Sequence, residues 1–290
     1  MKRVAVILAL YNPDEFFKEQ INSILSQRNV SIDVFIFNDQ SSSGLELVNE
    51  ILCDSKNIFL IDCQASGSAG KNFLRAVQGF DSSDYQYVAF SDQDDLWLPG
   101  KIERAVNVLE GNRADGYSSN LIVWDGRSTM GELKKDQSQK EFDHYFQGAS
   151  AGCTYVLTNH GFTVVKETIQ NVDLLNLSNA VSHDWSIYFI LRVNKCKWVF
   201  DQYSGILYRQ HDNNVYGANR SLIKKITMVF GSWYYQNITF LNSLPKEEVR
   251  INLNVNFFSK LCMVKKITQF RRKKFESAIA YIWWLFSGKV

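Results

Sequence analysis

The five cysteines (Cys53, Cys63, Cys153, Cys196, Cys262) include no CxxC pair. That argues against a zinc knuckle or a disulfide framework and fits a reducing compartment better. No run of about 18 uncharged apolar residues occurs, so no transmembrane helix is expected. The apolar start Val4–Leu10 turns polar at Tyr11-Asn12-Pro13-Asp14, too early for a signal peptide, and reads as a first strand. No GxGxxG fingerprint follows it, which argues against an NAD-type site. Gly67-Ser68-Ala69-Gly70-Lys71-Asn72 is not a P-loop either, because Ala65 stands where that motif needs glycine and Asn72 where it needs the Mg²⁺-binding hydroxyl. Internal repeats and low-complexity segments are also missing.

What is present is a chain of 290 residues, 46% apolar, enough for one α/β domain with an appendage or for two small domains. The net charge of +2 conceals an asymmetry: residues 220–290 carry 13 Lys+Arg against 3 Asp+Glu, and residues 1–219 carry 19 against 27. An acidic body with a basic tail suggests an anionic partner for the tail.

The first hundred residues alternate strand and helix. Val4–Leu10, Val34–Phe37, Ile58–Ile61 and Tyr87–Phe90 read as strands, and Asp14–Gln27, Gly44–Leu52, Ala69–Phe80 and Pro99–Leu109 as helices. Such alternation implies a parallel sheet covered on both faces, with right-handed crossovers and the post-strand loops converging on one edge. Further on, Leu121–Trp124 and Tyr155–Leu157 look strand-like, and 161–176 and 184–194 helical.

The four converging loops are Tyr11-Asn12-Pro13, Asn38-Asp39-Gln40-Ser41-Ser42, Gly67 to Asn72, and Ser91-Asp92-Gln93-Asp94-Asp95. Carboxylates packed as closely as 92–95 repel one another unless a divalent cation draws them together, and oxygen ligands suit Mg²⁺ or Mn²⁺ bridging to phosphates. The plainer reading of 92–95 is a polar turn ahead of the helix that Pro99 opens.

In this order the motifs resemble the inverting glycosyltransferases of family 2, with the GT-A fold. Ala151-Gly152-Cys153-Thr154, His183-Asp184-Trp185 and Tyr208-Arg209-Gln210-His211 are similar to its bacterial rhamnosyltransferase-like branch. The resemblance implies a mostly parallel α/β sheet with helices on both faces. It would divide into a catalytic domain at 1–219 (nucleotide half 1–110, acceptor half 111–219) and a C-terminal helical region at 220–290.

The resemblance also implies roles. Asp39 would bond the nucleotide base, although Asn38 replaces the first carboxylate of the family's usual aspartate pair. Tyr11 and Asn12 would frame the base from the other side, while Gly67, Gly70 and Asn72 let the backbone approach the nucleotide. Asp94 would ligate the metal directly. Asp92 would contact the ribose or the metal, and Asp95 the sugar or the next helix. His211 would reach the diphosphate or metal. Asp184 would be the general base, with capping of a helix that begins at Trp185 as its plainer reading. Trp185 would stack on a sugar or sit in the core.

Lys265-Lys266 and Arg271-Arg272-Lys273-Lys274 precede an aromatic–aliphatic run, Phe275 to Phe286, the pattern of a helix lying in a membrane interface. The basic residues adjoin apolar surface rather than a polar groove, so no nucleic-acid partner is expected. The expected activity is transfer of a sugar, L-rhamnose from dTDP-rhamnose, to a lipid-linked glycan at the cytoplasmic face of the inner membrane. UDP-glucose, UDP-galactose or an N-acetylhexosamine donor is the near alternative. A nucleotidyltransferase would want a Gly- and basic-rich first loop, which Tyr11-Asn12-Pro13 is not. Retention of Asp94 and Asp184 speaks against a non-catalytic glycan- or membrane-binding protein.

Overall fold

The computed structural model describes residues 1–210, 231–245 and 257–286. The chain runs β1 (Lys2–Leu10), α1 (Phe16–Leu25), β2 (Val30–Asn38), α2 (Leu45–Asp54), β3 (Ile58–Asp62), α3 (Ala69–Gly79), β4 (Tyr87–Ser91), β5 (Leu96–Trp97), α4 (Lys101–Asn112), β6 (Gly116–Trp124) and β7 (Thr129–Leu133). After these come β8 (Val156–Thr158), α5 (Asn159–Ile169), α6 (His183–Val193), β9 (Trp198–Arg209), α7 (Ser232–Ser243), α8 (Phe257–Cys262) and α9 (Lys274–Phe286).

Among the described residues the strands form one sheet ordered β3-β2-β1-β4-β8-β6-β9-β5, with β7 paired to β6. The half built from β3, β2, β1 and β4 is parallel, and β8 then pairs antiparallel with both β4 and β6. In β1 the side chains divide between the faces with period two. Val4, Val6, Leu8 and Leu10 join one core with α1, α2 and α4, and Ala5 and Ile7 join the other with α3, α5 and α6. A strand buried on both faces reads as a continuous apolar run, which is why Val4–Leu10 was legible.

The alternation expected for the first hundred residues is observed, with element ends shifted by a few residues. The helix expected from Pro99 begins at Lys101, after Gly100 at its N-cap. The helix expected over 161–176 ends at Ile169. The sequence reading passed over β5, β7 and β9, although β9 is the longest strand described. Its pattern is broken by Asp201 and Gly205, and its place is fixed by pairing with β6 on one side and β5 on the other.

The C-terminal segment requires a correction. Tyr281, Trp283 and Trp284 do not face outward as a membrane-lying helix would need; they are buried with Phe270 in the same core as Phe90 and Trp185. Arg272 is buried too, so the tail's basic cluster is split between structural and solvated members. An outward apolar set remains: Phe257, Phe258, Leu261, Val264, Phe275, Ile282 and Phe286 are exposed. No described helix is long and apolar enough to cross a membrane.

Candidate active site

The C-terminal ends of β1, β2 and β4 bring the first, second and fourth loops together. Tyr11 N–H donates to Gln93 Oε1 (2.8 Å), and Gln93 Nε2 returns a bond to the Tyr11 carbonyl (3.1 Å). Gln93 thus ties the first loop to the carboxylate loop, leaving the Tyr11 side chain exposed. Asn12 is left-handed, with φ +44°. Its Oδ1 accepts from the N–H of Ser42 (2.8 Å) and of Ser43 (3.3 Å), so it fastens the first loop to the second.

In the second loop, Asn38 Nδ2 donates to Asp62 Oδ1 at 2.8 Å, across the β2–β3 register. A carboxylate at 38 would face Asp62 instead, so the departure from the family's aspartate pair removes a like-charge contact. Asp39 is buried and accepts from Ser66 N–H (2.7 Å), Ser66 Oγ (2.8 Å) and an Arg75 amino group (3.0 Å). Arg75 also donates to Asn72 Oδ1 (2.6 Å), while Asn72 Nδ2 donates to the Phe37 carbonyl (2.8 Å).

The glycine-rich third loop receives a different group from the one expected. A Cβ on Gly70 would lie 2.0 Å from the Val181 carbonyl oxygen, and one on Gly67, at φ +87°, would lie 3.1 Å from the Asn179 side chain. Lys71, itself buried, donates to the carbonyls of Leu175 (3.2 Å) and Leu177 (3.1 Å) and to Asn179 Oδ1 (3.2 Å). Gly67 and Gly70 therefore make room for the protein's own 175–181 segment, which leads directly to Asp184.

The fourth loop carries the carboxylates. Burial and the neighbouring charges of Asp94 and Asp184 push Asp92 up to about 7. Asp95 is fully buried, and burial with the charges of Asp94 and Asp92 holds it well above the carboxylate range. Its Oδ1 accepts from Arg209 N–H (3.1 Å), and the Cys153 thiol lies beside its carboxyl. Asp95 thus braces β9 and does not cap the following helix, whose N-cap is Gly100. Ligand atoms of Asp92, Asp95 and Cys153 lie within 4.8 Å of one another. Lys101, buried beneath Asp95 with its Nζ 3.2 Å from the centre of the Trp97 ring, is lowered to about 7 by desolvation.

This donor set fits a hard divalent cation. Asp92 and its neighbour Asp94 would offer oxygens, and the proton affinity that crowding and burial confer on Asp92 is what a positive ion would relieve. Cys153 is kept protonated by burial and by the charges of Asp95 and Asp92, so a thiolate ligand is not favoured.

Asp184 lies in the first turn of α6. The helix begins at His183 with Ser182 as its N-cap, two positions earlier than a capping role for Asp184 would need. Asp184 Oδ1 accepts from Ser182 Oγ and from Trp185 N–H, and the Asp184 carbonyl accepts from Tyr155 Oη (3.2 Å). A carboxylate in a helix's first turn is favoured by the helix dipole. His183 is a half-buried, neutral wall: desolvation lowers it to about 4, and it stacks on Phe73 at 4.1 Å.

Trp185 corrects an expectation. It is 2% exposed, bonds the His144 carbonyl through Nε1 (2.8 Å) and packs against Trp233 and Tyr234, so its ring belongs to the core and not to a sugar platform. His211 lies outside the described residues.

Sequence reasoning assigned nothing to Gln93, Arg75, Lys101 or Arg209, which organise the site. For Arg209 a signal existed, since it stands inside Tyr208-Arg209-Gln210. A cavity of about 550 Å³ lies at the β3 side, lined by Phe35, Phe37, Ile61, Cys63, Arg75 and Tyr85, with none of the carboxylate cluster in its wall.

Comparison with known proteins gives the family and the fold. The model of the family described as "Glycosyl transferase family 2" matches residues 5–164. The chain is 34% identical over 279 residues to the dTDP-rhamnosyl transferase RfbG of Shigella flexneri, covering 92% of this chain and 95% of that one. It is 23% identical over 156 residues to the UDP-Glc:alpha-D-GlcNAc-diphosphoundecaprenol beta-1,3-glucosyltransferase WfgD of Escherichia coli, covering 53% of this chain and 59% of that one. The fold matches S. aureus TarS 1–349 in complex with UDP, with a TM-score of 0.55 at 12% identity, over 98% of this chain and 89% of that one. Against another S. aureus TarS structure (TM-score 0.55, 14% identity) the chain covers 72% of its own length and 37% of that chain. The GT-A architecture expected from the motifs is the one observed, and the chain belongs to glycosyltransferase family 2, on its rhamnosyltransferase-like side.

Proposed function

We infer that the chain transfers L-rhamnose from dTDP-rhamnose to a hydroxyl of a lipid-linked saccharide, with inversion, in the assembly of a bacterial surface polysaccharide such as O-antigen or capsule. The observation that carries this reading is that Asp94 and Asp184, from two different parts of the chain, lie close enough to Asp92 for both charges to bear on it. The similarity to RfbG supports the donor. The similarity to WfgD, whose name specifies a diphosphoundecaprenol-linked acceptor, supports the lipid-linked acceptor.

In this reading Asp94 and Asp92 would hold Mg²⁺ or Mn²⁺. Such an ion, when bound, neutralises the charge that develops on the leaving diphosphate. Tyr11, Asn12 and Asp39 form the nucleotide end, where Ser66 and Arg75 hold the Asp39 carboxylate in place. Asp184 takes the proton of the acceptor hydroxyl. That oxygen bonds to the anomeric carbon opposite the leaving group, and the bond from that carbon to the phosphate oxygen breaks to release dTDP. Ser182 and the Trp185 N–H hold one oxygen of Asp184, which orients the other.

The protein would sit at the cytoplasmic face of the inner membrane. The exposed Phe257, Phe258, Leu261, Val264 and Phe286, flanked by the exposed Lys265, Lys273 and Lys274, make up the contact surface. The test is a thermal-shift comparison of dTDP-rhamnose with UDP-glucose, UDP-galactose and UDP-N-acetylhexosamines, with and without Mn²⁺. The expected result is a shift with dTDP-rhamnose that Mn²⁺ enlarges. A shift confined to a UDP-sugar would replace the donor assignment, and no shift with any nucleotide would overturn the reading.

A further inference from the structure

The 147–150 segment is held between the C-terminal region and the first turn of α6. On one side, an Arg272 amino group donates to the carbonyls of Gly148 (2.8 Å) and Ala149 (2.6 Å), and Arg271 Nε donates to Gln147 Oε1 (3.0 Å). On the other side, the N–H groups of Ala149 (2.9 Å) and Ser150 (3.2 Å) donate to Tyr155 Oη, whose hydroxyl reaches the Asp184 carbonyl (3.2 Å). A Cβ on Gly148 would lie 3.3 Å from the backbone nitrogen and Cα of Trp185, so the segment lies against the backbone of the Asp184 turn.

Arg272 also engages α6 further along. Its guanidinium lies 3.6 Å from Asp143, whose other oxygen accepts from Tyr188 Oη (2.9 Å) and Arg192 (2.9 Å). The guanidinium packs over the Phe200 ring at 4.8 Å. One buried side chain therefore meets the loop that backs the first turn of α6 and the network that anchors the rest of the helix.

We propose that Arg272 is a positioning residue for Asp184: the C-terminal segment supplies the brace that sets the proton acceptor against the carboxylate loop. This rests on Asp184 acting as base, and it reaches beyond that reading by making the tail part of the acceptor side of the site. A planar fork can satisfy two successive carbonyls from one amino group while its other arm faces Asp143; an ammonium keeps the charge but not that geometry.

The test compares Arg272→Lys with Arg192→Met in the full chain. Arg192 shares the Asp143 network but does not touch the 147–150 segment in any described contact. Hydrogen exchange is read at Ala149, Ser150, Trp185 and Ser186, together with kcat and the nucleotide Kd. The expected result is several-fold faster exchange at those four amides in Arg272→Lys. The kcat falls roughly ten- to a hundredfold, because small misplacements of a reacting group carry such penalties, and the nucleotide Kd is unchanged. Arg192→Met loses stability while keeping kcat within about threefold. Unchanged exchange in Arg272→Lys overturns the proposal, as does faster exchange with wild-type kcat. If the wild type transfers no sugar, the functional reading fails by itself, and the exchange data still decide whether Arg272 positions the Asp184 turn.

Discussion

Arg209 Nε donates to the main-chain carbonyl of Asp94 at 2.8 Å, and the Arg209 N–H donates to the side chain of Asp95, the next residue along. The same guanidinium pairs with Glu19 on α1 and lies against the Phe16 and Trp124 rings. The last residue of β9 thus fixes the height of the carboxylate loop over the sheet. Arg209→Met keeps the main-chain bond to Asp95 but leaves the Asp94 carbonyl and Glu19 without their guanidinium donor, and is expected to destabilise the fold by about 2–3 kcal/mol, as loss of a charged hydrogen-bonding group does. It should also weaken Mn²⁺ binding. Denaturant unfolding and Mn²⁺ titration check this; wild-type values in both would remove Arg209 from the site's support.

The cation affinity should depend on pH, with a sign set by Asp92. Its folded-state value of about 7 is above the ordinary 3.8, so between those limits the folded chain holds more protons than the unfolded one. Stability from this group falls as pH rises through that window and levels off above it. A cation competes with that proton, so its affinity rises with pH up to about 7. Mn²⁺ is expected to raise the Tm more at about pH 8 than at about pH 6, by up to tenfold in affinity for each pH unit below 7. Asp94→Ala should abolish the effect at both. Equal shifts at the two pH values would sink the assignment of Asp92.

Gly70→Ala should act at a distance from its own helix. Its methyl would occupy the space of the Val181 carbonyl oxygen, so the 175–181 segment must move, at a cost of about 1–3 kcal/mol. Because that segment leads into Ser182 and Asp184, turnover is expected to fall while nucleotide affinity changes little. Equilibrium unfolding and steady-state kinetics decide it. A loss confined to nucleotide binding would restore the role first expected for this glycine.

Membrane contact can be separated from folding. The exposed Phe257, Phe258 and Phe286 are expected to be replaceable by serine with little change in Tm, and the triple variant should lose cosedimentation with anionic vesicles. Trp284→Ala, by contrast, empties a fully buried site and should cost about 3–5 kcal/mol without testing lipid contact. Undiminished cosedimentation of the triple variant would discard this surface.

The first half of the fold was legible because β1 and β4 are buried on both faces and its helices keep one apolar stripe, as Phe17, Ile21 and Ile24 do. The carboxylate loop and Asp184 were legible because their residue types and order carry the chemistry. Trp185 was not, since an aromatic beside a site reads the same whether it meets a sugar or Tyr234. The tail misled for a related reason. A run of arginines and tryptophans does not say which ones turn inward, and the acceptors that claim Arg272 are main-chain carbonyls more than 120 residues away. Main-chain partners leave no trace in side-chain pattern. Asn38 is the reverse case: a departure from the family motif that only the neighbouring strand, through Asp62, explains.

The shared core of the C-terminal helix and α6 bears on how such chains can be recombined. An exchange between relatives near residue 220 would part Arg272 from Gly148, and Trp284 from Phe146 and Phe270. An exchange near residue 110 crosses the sheet and leaves those contacts intact. New acceptor preferences should therefore travel as one inherited block, tail included.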